Sequence, residues 1–344
     1  MIKKSDKIHE LLKEVEYGRT ITRKEAVELL KLPENSVEAA HLRAVANIIT
    51  RKRFNNKALM LGQIGIDMEP CDGDCAFCFF AKSFTKIKPS MLEFDEIKSR
   101  CDGFIAGGAA GVFLMTMHRF GFDWFRDMCH SLKQSLPKDF MILANVGDIS
   151  VEQIKELKEA GVSGAYHVCR LKEGIDSCMK PAGRIKTIEI IIEAGMDWYT
   201  QCEPIGPEHT PEELADQIWL GVDMPCVQHG AQQRFPVPGS PLYSKGIISL
   251  ARLSQIVAVI ALATQNNKNQ KSVSVNVSNV VALLSGANAF FPEAGEPVKK
   301  LNQENSHETT DGFTTALWRQ SNEITTADCR YMIESAGFSG YIKY

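Results

Sequence analysis

The sequence predicts an α/β protein built on a (βα)8 TIM barrel, with an N-terminal helical extension and a C-terminal cap that is polar and then helical. Short apolar runs alternate with amphipathic stretches from Ala58 onward, a pattern typical of parallel strands joined by helices. Eight such units over roughly 250 residues match this barrel in size. Glycine ends two predicted helices, in the triplets Glu159-Ala-Gly161 and Glu193-Ala-Gly195. An open, doubly wound sheet is the alternative.

The predicted elements begin with helices up to about Phe54. Residues 6–17 carry apolar side chains at helical spacing, and Thr22 with Glu25 forms a capping box before residues 26–30. Eight strands are then predicted, at residues 58–66, 111–116, 140–145, 164–168, 197–203, weakly near 227–228, 272–276 and 287–291. The helices predicted between them include residues 122–135, 151–160, 185–194, 211–220, 250–263 and 277–284.

The chain is therefore predicted to have three parts. Residues 1–57 form the helical extension, residues 58–295 the barrel, and residues 296–344 a cap segment packed on the barrel. The last helix is predicted to begin near Thr326, with Thr325 or Thr326 as its capping residue.

Composition excludes several classes of protein. With 44% hydrophobic and 24% charged residues, the chain is not disordered as a whole. A net charge of −3 without a long basic block argues against a nucleic-acid partner. The longest apolar run, residues 256–263, is too short to cross a bilayer, and the first residues do not resemble an export signal. We expect a cytoplasmic protein whose ten cysteines are reduced thiols rather than a disulfide scaffold.

Three of these cysteines form a close group. Cys71, Cys75 and Cys78 lie in EPCDGDCAFCFFAK, directly after the first predicted strand, where barrel enzymes carry their chemistry. The aspartates and the glycine between them make a polar loop that can wrap around a metal. Three thiolates could bind zinc with a fourth ligand, or three irons of a [4Fe-4S] cluster. Structural zinc sites usually contain paired Cys-x-x-Cys motifs, so the single short pair here favours the cluster.

The motif Cys-x3-Cys-x2-Cys, with Phe77 before its third cysteine, resembles that of radical S-adenosylmethionine (SAM) enzymes. Other segments are similar to the subgroup containing biotin synthase, the diiron hydrogenase maturase and 3-methylornithine synthase. Gly239-Ser-Pro-Leu242 resembles their PGTPL segment, and the stretch from Ser285 to Phe291 resembles their GANSIF strand. Arg184 matches an arginine at the start of their fourth helix. The resemblance covers residues 20 to 295, roughly, and is not to biotin synthase itself.

This resemblance implies the cofactors and their ligands. Cys71, Cys75 and Cys78 would ligate three irons of a [4Fe-4S] cluster, and the amino and carboxylate groups of SAM would chelate the fourth. The implied contacts to SAM are Phe77 beside the adenine, Thr116 and Met117 near the methionine amine, and Arg184 paired with the methionine carboxylate.

The resemblance also implies a reaction. SAM would be cleaved reductively to a 5'-deoxyadenosyl radical, which would abstract hydrogen from a small polar metabolite, in a rearrangement, fragmentation or bond formation. The electron would come from a low-potential donor of the ferredoxin or flavodoxin type. The substrate, and whether SAM is consumed or recycled, do not follow from the sequence.

The chain departs from the family pattern at several positions. His118-Arg119 replaces the usual Gly-Glu after the second strand, and Tyr166-His-Val-Cys-Arg170 replaces the usual ribose-binding residue. At the positions that hold the auxiliary cluster of biotin synthase stand Leu114, Leu143 and Thr200, which disfavours sulfur insertion. A second cluster built from other cysteines stays open at this point; its candidate ligands are Cys169, Cys178, Cys202 and Cys226.

Polar residues near strand ends are the predicted substrate ligands. Glu203 and Arg234 rank highest because unpaired charge is costly in a barrel interior. The other candidates are Gln63, Asn145, His167, Arg170, Gln228 and Asn276. Two alternatives to this function are a sulfur-inserting enzyme of the biotin synthase type, and a barrel protein without catalytic activity whose metal is structural or relays electrons.

Overall fold

The computed structural model describes residues 4–85, 87–276, 278–293 and 324–343. Three helices come first: α1 (Lys4–Glu16), α2 (Arg23–Leu30) and α3 (Val37–Arg53). The predicted capping box is present, because the Thr22 hydroxyl accepts from the Glu25 amide while the Glu25 carboxylate accepts from the Thr22 amide. Helix α3 packs on both α1 and α9, so the first three helices lie against the outside of the barrel.

The described residues form eleven strands. Their bounds are β1 Lys57–Gly65, β2 Asp67–Met68, β3 Ser90–Met91, β4 Gly111–Met115, β5 Met141–Asn145, β6 Val162–Tyr166, β7 Asp197–Ile205, β8 Gln228–Gln233, β9 Ser272–Asn276, β10 Ala289–Phe290 and β11 Gly340–Tyr341. Eight of them pair in parallel in the order β1-β4-β5-β6-β7-β8-β9-β10. Strand β10 pairs back onto β1, with Leu59 opposite Ala289. This closed ring confirms the TIM barrel and rules out the open sheet.

Helices follow most strands of the ring, as the alternating pattern predicts. They are α4 Phe94–Ala106, α5 Phe122–Ser135, α6 Val151–Glu159, α7 Pro181–Glu193, α8 Pro211–Asp223, α9 Leu250–Ala263, α10 Val280–Leu283 and α11 Thr326–Ser335. Gly161 and Gly195 follow α6 and α7 with φ angles of 93° and 64°, which favour glycine. Among these ranges, no helix has both the length and the apolar composition of a membrane span.

The barrel interior follows from the two-residue period of its strands. Alternate side chains point inward, so Leu59, Leu61, Phe113 and Leu143 form a buried inner cluster. The side chains between them, such as Met60, Val112 and Ile142, pack outward against the helices in the larger core. Toward the carboxyl ends of the strands the inward residues become polar, and this change leaves room for a ligand.

The structure differs from the predicted elements at several places. Strand β6 ends at Tyr166 rather than at residue 168, and β8 begins at Gln228, where the prediction expected its centre. Three short strands were not predicted: β2 and β3, which form a hairpin, and β11, which pairs with the start of β1. Each has too few residues to show a two-residue period. The last helix does begin at Thr326 with Thr325 as its cap, but residues 294–323 of the predicted cap segment lie outside the described residues.

Candidate functional site

The three-cysteine loop leaves the barrel at the carboxyl end of β1. Its own backbone closes it, because the Cys71 amide donates to the Phe80 carbonyl oxygen at 2.7 Å and the Lys82 amide donates to the Cys71 carbonyl oxygen at 3.2 Å. Asp74 supports the tight path with a φ of 44°, and its carboxylate accepts from the Ser83 amide at 2.8 Å. The loop is therefore a folded element and not an open connection.

Two other loops clamp this one from both sides. The Ala76 amide donates to the Asp176 carbonyl oxygen at 2.8 Å, and the Cys178 amide donates to the Gly73 carbonyl oxygen at 2.8 Å. From the PVPGSPL segment, the Leu242 amide donates to the Ala76 carbonyl oxygen at 3.2 Å. The PVPGSPL segment after β8 thus holds the backbone beside Phe77.

The thiols of Cys71, Cys75 and Cys78 are half-buried and form no disulfide. Burial raises the pKa of Cys75 to about 12 and raises that of Cys78, while the Arg170 guanidinium acts in the opposite direction on both. A β-carbon on Gly73 would lie 3.4 Å from the Met179 sulfur and 3.5 Å from the Cys71 sulfur, so Gly73 packs at ordinary contact distance beside this thiol.

The geometry bears on which metal these thiols suit. In the described ranges, no three His, Cys, Asp or Glu side chains converge on one point that could hold a metal ion. A structural zinc site needs its ligands about 2.0 to 2.3 Å from a single ion. The thiolates that hold an iron-sulfur cluster each bind a different iron, so a cluster does not require the three sulfurs to converge on one point.

A cavity of about 360 Å³ opens inside the barrel next to the loop. It is lined by both aromatic and polar side chains: Gln63, Phe77, Cys78, Phe79, Phe80, Phe113, Met115, Asn145, Tyr166, Arg170, Gln201, Glu203, Pro204, Gln232, Gln233, Phe235, Val237, Asn276, Phe291 and Glu293. Phe113 packs edge-on against Tyr166, Tyr199 and Phe291 at centroid distances of 5.3 to 6.2 Å. These rings form the floor of the cavity, and the cysteine loop forms part of its wall.

One ion pair crosses the cavity wall. Arg170 Nε donates to Glu203 Oε1 at 3.0 Å, and the side chains are 24% and 7% exposed. The Arg170 amide also donates to the Glu173 carboxylate at 3.0 Å. Burial lowers the pKa of Arg170, but the carboxylates of Glu203 and Glu173 outweigh it, so its pKa is raised overall. The Arg170 guanidinium therefore stays charged beside the cysteines.

Several buried polar atoms in the cavity lack a partner among the described residues. They are the Tyr166 hydroxyl, the Gln201 side-chain oxygen and both polar atoms of the Gln233 amide. The Gln201 side-chain nitrogen donates to the Ser274 hydroxyl at 3.3 Å. In this orientation the Gln201 side-chain oxygen accepts from no donor among the described residues. Since buried polar groups are normally hydrogen-bonded, these atoms indicate a site that a ligand completes.

The structure brings five of the predicted substrate ligands together. Gln63, Asn145, Arg170, Glu203 and Asn276 all line the cavity. They come from five different loops or strands, so only closure of the barrel places them around one space.

Three other predicted substrate ligands lie outside the cavity. His167 follows the inward Tyr166 and so points outward, toward Asp148. Gln228 starts β8, at the opposite end from the cysteine loop, and donates to the Ser272 hydroxyl at 2.8 Å. Arg234 forms a bidentate ion pair with Glu208 and donates to the Gly246 carbonyl oxygen at 3.0 Å. His167 and Arg234 are bound by carboxylates that sequence spacing does not reveal, whereas the Gln228 side-chain oxygen has no partner among the described residues.

Arg184 belongs to a buried network behind the cavity. Its Nε donates to the Val168 carbonyl oxygen at 3.1 Å, and a terminal nitrogen donates to Asp148 Oδ1 at 2.8 Å. His167 Nε2 lies 3.1 Å from the same Asp148 oxygen. The predicted contact with the methionine carboxylate would therefore use the remaining N–H groups of Arg184.

This network predicts a loss of stability in mild acid. Burial lowers the pKa of His167 to about 3, with Arg184 and Arg170 adding to the effect and Asp148 opposing it. Below about pH 6.5 the unfolded chain protonates this histidine and the folded chain does not, so stability falls with pH. When the pH falls from about 6.5 to 5, the free energy of unfolding should decrease in both the wild type and His167→Gln. We expect the decrease to be about 2 kcal/mol smaller in His167→Gln than in the wild type. Urea unfolding at both pH values tests this, and equal losses would contradict it.

Thr116 and Met117 lie at the end of β4, on the same rim as the cysteines. The Met117 amide donates to Asp67 Oδ1 at 2.8 Å, and the Thr116 hydroxyl donates to the Met117 carbonyl oxygen at 3.0 Å. Neither side chain lines the cavity. Arg119, one of the residues that depart from the resembled pattern, is largely exposed and pairs with Asp72 of the cysteine loop at 2.9 Å.

Sequence reasoning missed several residues of the cavity. Tyr166, Gln201, Gln232, Gln233 and Glu293 all line it. The two-residue period of Tyr199, Gln201 and Glu203 would have identified Gln201 once Glu203 was taken as inward. Glu293 could have been found in the same way from Ala289 and Phe291.

The other cysteines do not form a second group. Cys101, Cys129, Cys202, Cys226 and Cys329 are buried core residues, whereas Cys169 is half-buried and Cys178 exposed. Burial raises the pKa of Cys202 and Cys226, as expected for thiols in an apolar core. Leu114 and Thr200 point outward from the barrel and Leu143 inward, so those three positions share no common site in the described chain.

Comparison with known proteins shows similarity in structure only. No protein-family model matches the sequence, and no curated protein matches it either. A crystal structure of HydG, a maturase of the [FeFe]-hydrogenase, superposes with a TM-score of 0.73 at 14% identity, covering 84% of this chain and 69% of that one. Methylornithine synthase (PylB) gives 0.72 at 16% identity over 94% and 99%. HydG from Carboxydothermus hydrogenoformans gives 0.71 at 12% identity over 84% and 71%. At these identities the likeness shows a shared fold.

Proposed function

We propose that the protein is a radical SAM enzyme that acts on a small polar molecule inside its barrel. One observation carries this proposal: the Cys-x3-Cys-x2-Cys loop at the carboxyl end of β1 forms part of the wall of the cavity inside the barrel. The structural likeness to HydG and to methylornithine synthase supports it, since both share this barrel. A metal that only stabilised the fold would not need such a cavity beside it.

Cys71, Cys75 and Cys78 would hold the [4Fe-4S] cluster. Their thiols fit this role because they are half-buried and free of disulfides. The Arg170 guanidinium beside Cys75 and Cys78 favours their thiolate forms, which are the forms that bind metal. With three protein ligands, one iron stays open for another molecule.

SAM would bind between the cysteine loop and the strand ends. Phe77 lies in the cavity wall, and the hydrogen bonds of Ala76 to Asp176 and Leu242 fix the backbone next to it. Thr116 and Met117 stand at the end of β4 for the methionine amine. Arg184 would contribute its remaining N–H groups to the carboxylate, held in orientation by Asp148.

The cluster and SAM together supply, when bound, an adenosyl radical that takes a hydrogen atom from the substrate. The chain itself provides position and shelter for this chemistry. Phe113, Tyr166 and Phe291 close the floor of the cavity against water, and the aromatic residues after Cys78 close its side. Orientation of a substrate in such an enclosed space lowers the entropic part of the barrier.

Two further parts of the proposal concern partners and the rejected reaction. A low-potential donor of the ferredoxin or flavodoxin type would deliver the electron from the side of the exposed loop. Sulfur insertion of the biotin synthase type is disfavoured because Leu114, Leu143 and Thr200 stand where the resemblance would place the ligands of an auxiliary cluster. The proposed reaction is therefore a rearrangement, fragmentation or bond formation.

Anaerobic reconstitution tests this function. The protein should take up about four irons per chain, its electronic and paramagnetic spectra should change on addition of SAM, and a strong reductant should release 5'-deoxyadenosine and methionine. A spectrum that SAM leaves unchanged would favour a structural or electron-carrying metal. Stoichiometric zinc without iron, or biotin formed from dethiobiotin, would overturn the proposal.

A further inference from the structure

The cavity carries an unusual number of carboxamides. Five strands or strand ends each contribute one inward side chain: Gln63 from β1, Asn145 from β5, Gln201 from β7, Gln232 from β8 and Asn276 from β9. Gln233 adds a sixth, and its amide has no protein partner among the described residues. Carboxamides both donate and accept hydrogen bonds, so this lining suits neutral amide, hydroxyl or carbonyl groups.

The cavity offers little to an anion. Arg170 is the only cationic residue among the described lining residues, and Glu203 occupies its guanidinium at 3.0 Å. A phosphate or carboxylate on the substrate would have to share this guanidinium with Glu203 and would also face the Glu293 carboxyl group in the same cavity, and burial of incompletely compensated charge is costly. The lining therefore disfavours anionic substrates.

Glu293 is the remaining ionisable acid among the described residues that line the cavity. It follows Ala289 and Phe291 at the inward period of β10 and stands opposite Gln63 in a parallel bridge. Its amide is held by the Ile324 carbonyl oxygen at 2.8 Å, which fixes the backbone. Among the described residues, no side chain donates to its carboxylate, and burial raises its pKa well above the usual range. Burial therefore favours the neutral form of Glu293, and an arriving ammonium group would supply the counter-charge that stabilises its carboxylate form.

We propose that the cavity selects a small organic amine that also carries neutral amide or hydroxyl groups, with Glu293 binding the ammonium and the carboxamides of Gln201 and Gln233 binding the neutral groups. This inference rests on the proposed function and names its substrate class. The ammonium would form charge-assisted hydrogen bonds to Glu293. The unpartnered atoms of Gln201, Gln233 and Tyr166 would be satisfied at the same time.

Fragment binding tests this selectivity. Matched trios on one skeleton are screened by ligand-observed NMR on the reconstituted protein, with and without SAM; 4-aminobutanamide, its N-acetyl derivative and succinamate form one trio. We expect the amines to bind at least about tenfold more tightly than the N-acetyl compounds and the acids. Glu293→Gln should weaken the binding of the amines about tenfold and should leave the affinity for the N-acetyl compounds within about twofold of the wild-type value.

Glu159→Gln is the matched control, because it makes the same charge change at an exposed position at the far end of α6. It should leave all affinities unchanged. The proposal would be overturned if the acids bound best, or if Glu293→Gln bound the amines as tightly as the wild type does. It would also be overturned if SAM displaced the amines, or if no member of a trio bound. These results are read from fragment binding, whereas the proposed function fails on iron content and SAM cleavage, so the two failures are distinguishable.

Discussion

Replacing Cys71, Cys75 or Cys78 with alanine is expected to reduce the iron content after reconstitution from about four irons per chain to a small fraction of that amount. Each thiol would bind a different iron, and a cluster held by only two protein thiolates loses the geometry that retains it. Release of 5'-deoxyadenosine should fall below detection in all three variants. Iron analysis, the visible spectrum and chromatographic detection of the nucleoside measure these effects.

Cys178→Ala supplies the control for this prediction. Cys178 is exposed and lies against the same loop, since its amide donates to the Gly73 carbonyl oxygen. Alanine keeps that backbone hydrogen bond and removes only the thiol. Full iron content is expected in this variant. Retention of iron after loss of Cys71, Cys75 or Cys78, or its loss with Cys178, would assign the ligands differently.

The barrel was predictable from the sequence because it follows from local periods. Strands β4, β5 and β9 fall within a residue of their predicted bounds, since each is a short apolar or alternating run between turns. The cysteine loop was predictable for a similar reason, as its spacing is local. What the sequence alone did not decide is the face on which a strand-end residue lies when the strand bounds are uncertain.

His167 and Gln228 illustrate this limit. The predicted strand at 164–168 extended too far, so His167 was taken as inward, although Tyr166 occupies that face and β6 ends there. Gln228 was taken as a strand end, although it begins β8 and lies deep in the barrel. A shift of one or a few residues exchanges inside for outside, or top for bottom.

Arg234 shows a second limit, which concerns partners distant in sequence. Its charge indicated a substrate contact, but Glu208, which precedes α8, neutralises it. Arg170 was ranked lower, yet it lines the cavity and pairs with Glu203. Only the three-dimensional structure shows which arginine is bound by a carboxylate outside the site and which by one inside it.

Arg170→Met is expected to lower the free energy of unfolding by about 3 kcal/mol, because it leaves the Glu203 carboxylate buried without a counter-charge. Glu203 is only 7% exposed on its side chain and lies at the cavity wall. If the loss arises from the orphaned carboxylate, then Arg170→Met with Glu203→Leu should be more stable than Arg170→Met alone. Chemical unfolding of the two single variants and the double variant measures this coupling.

The same variants separate stability from chemistry. The double variant should fold and, with all three cysteines present, bind about four irons, yet it should lose substrate-dependent turnover, because the charged pair of the cavity wall is gone. If the Arg170–Glu203 pair were purely structural, the double variant would instead regain turnover together with its stability. Glu173 also accepts from the Arg170 amide, and this backbone contact persists in every variant. Restored turnover in the double variant would therefore place the Arg170–Glu203 pair outside the catalytic machinery.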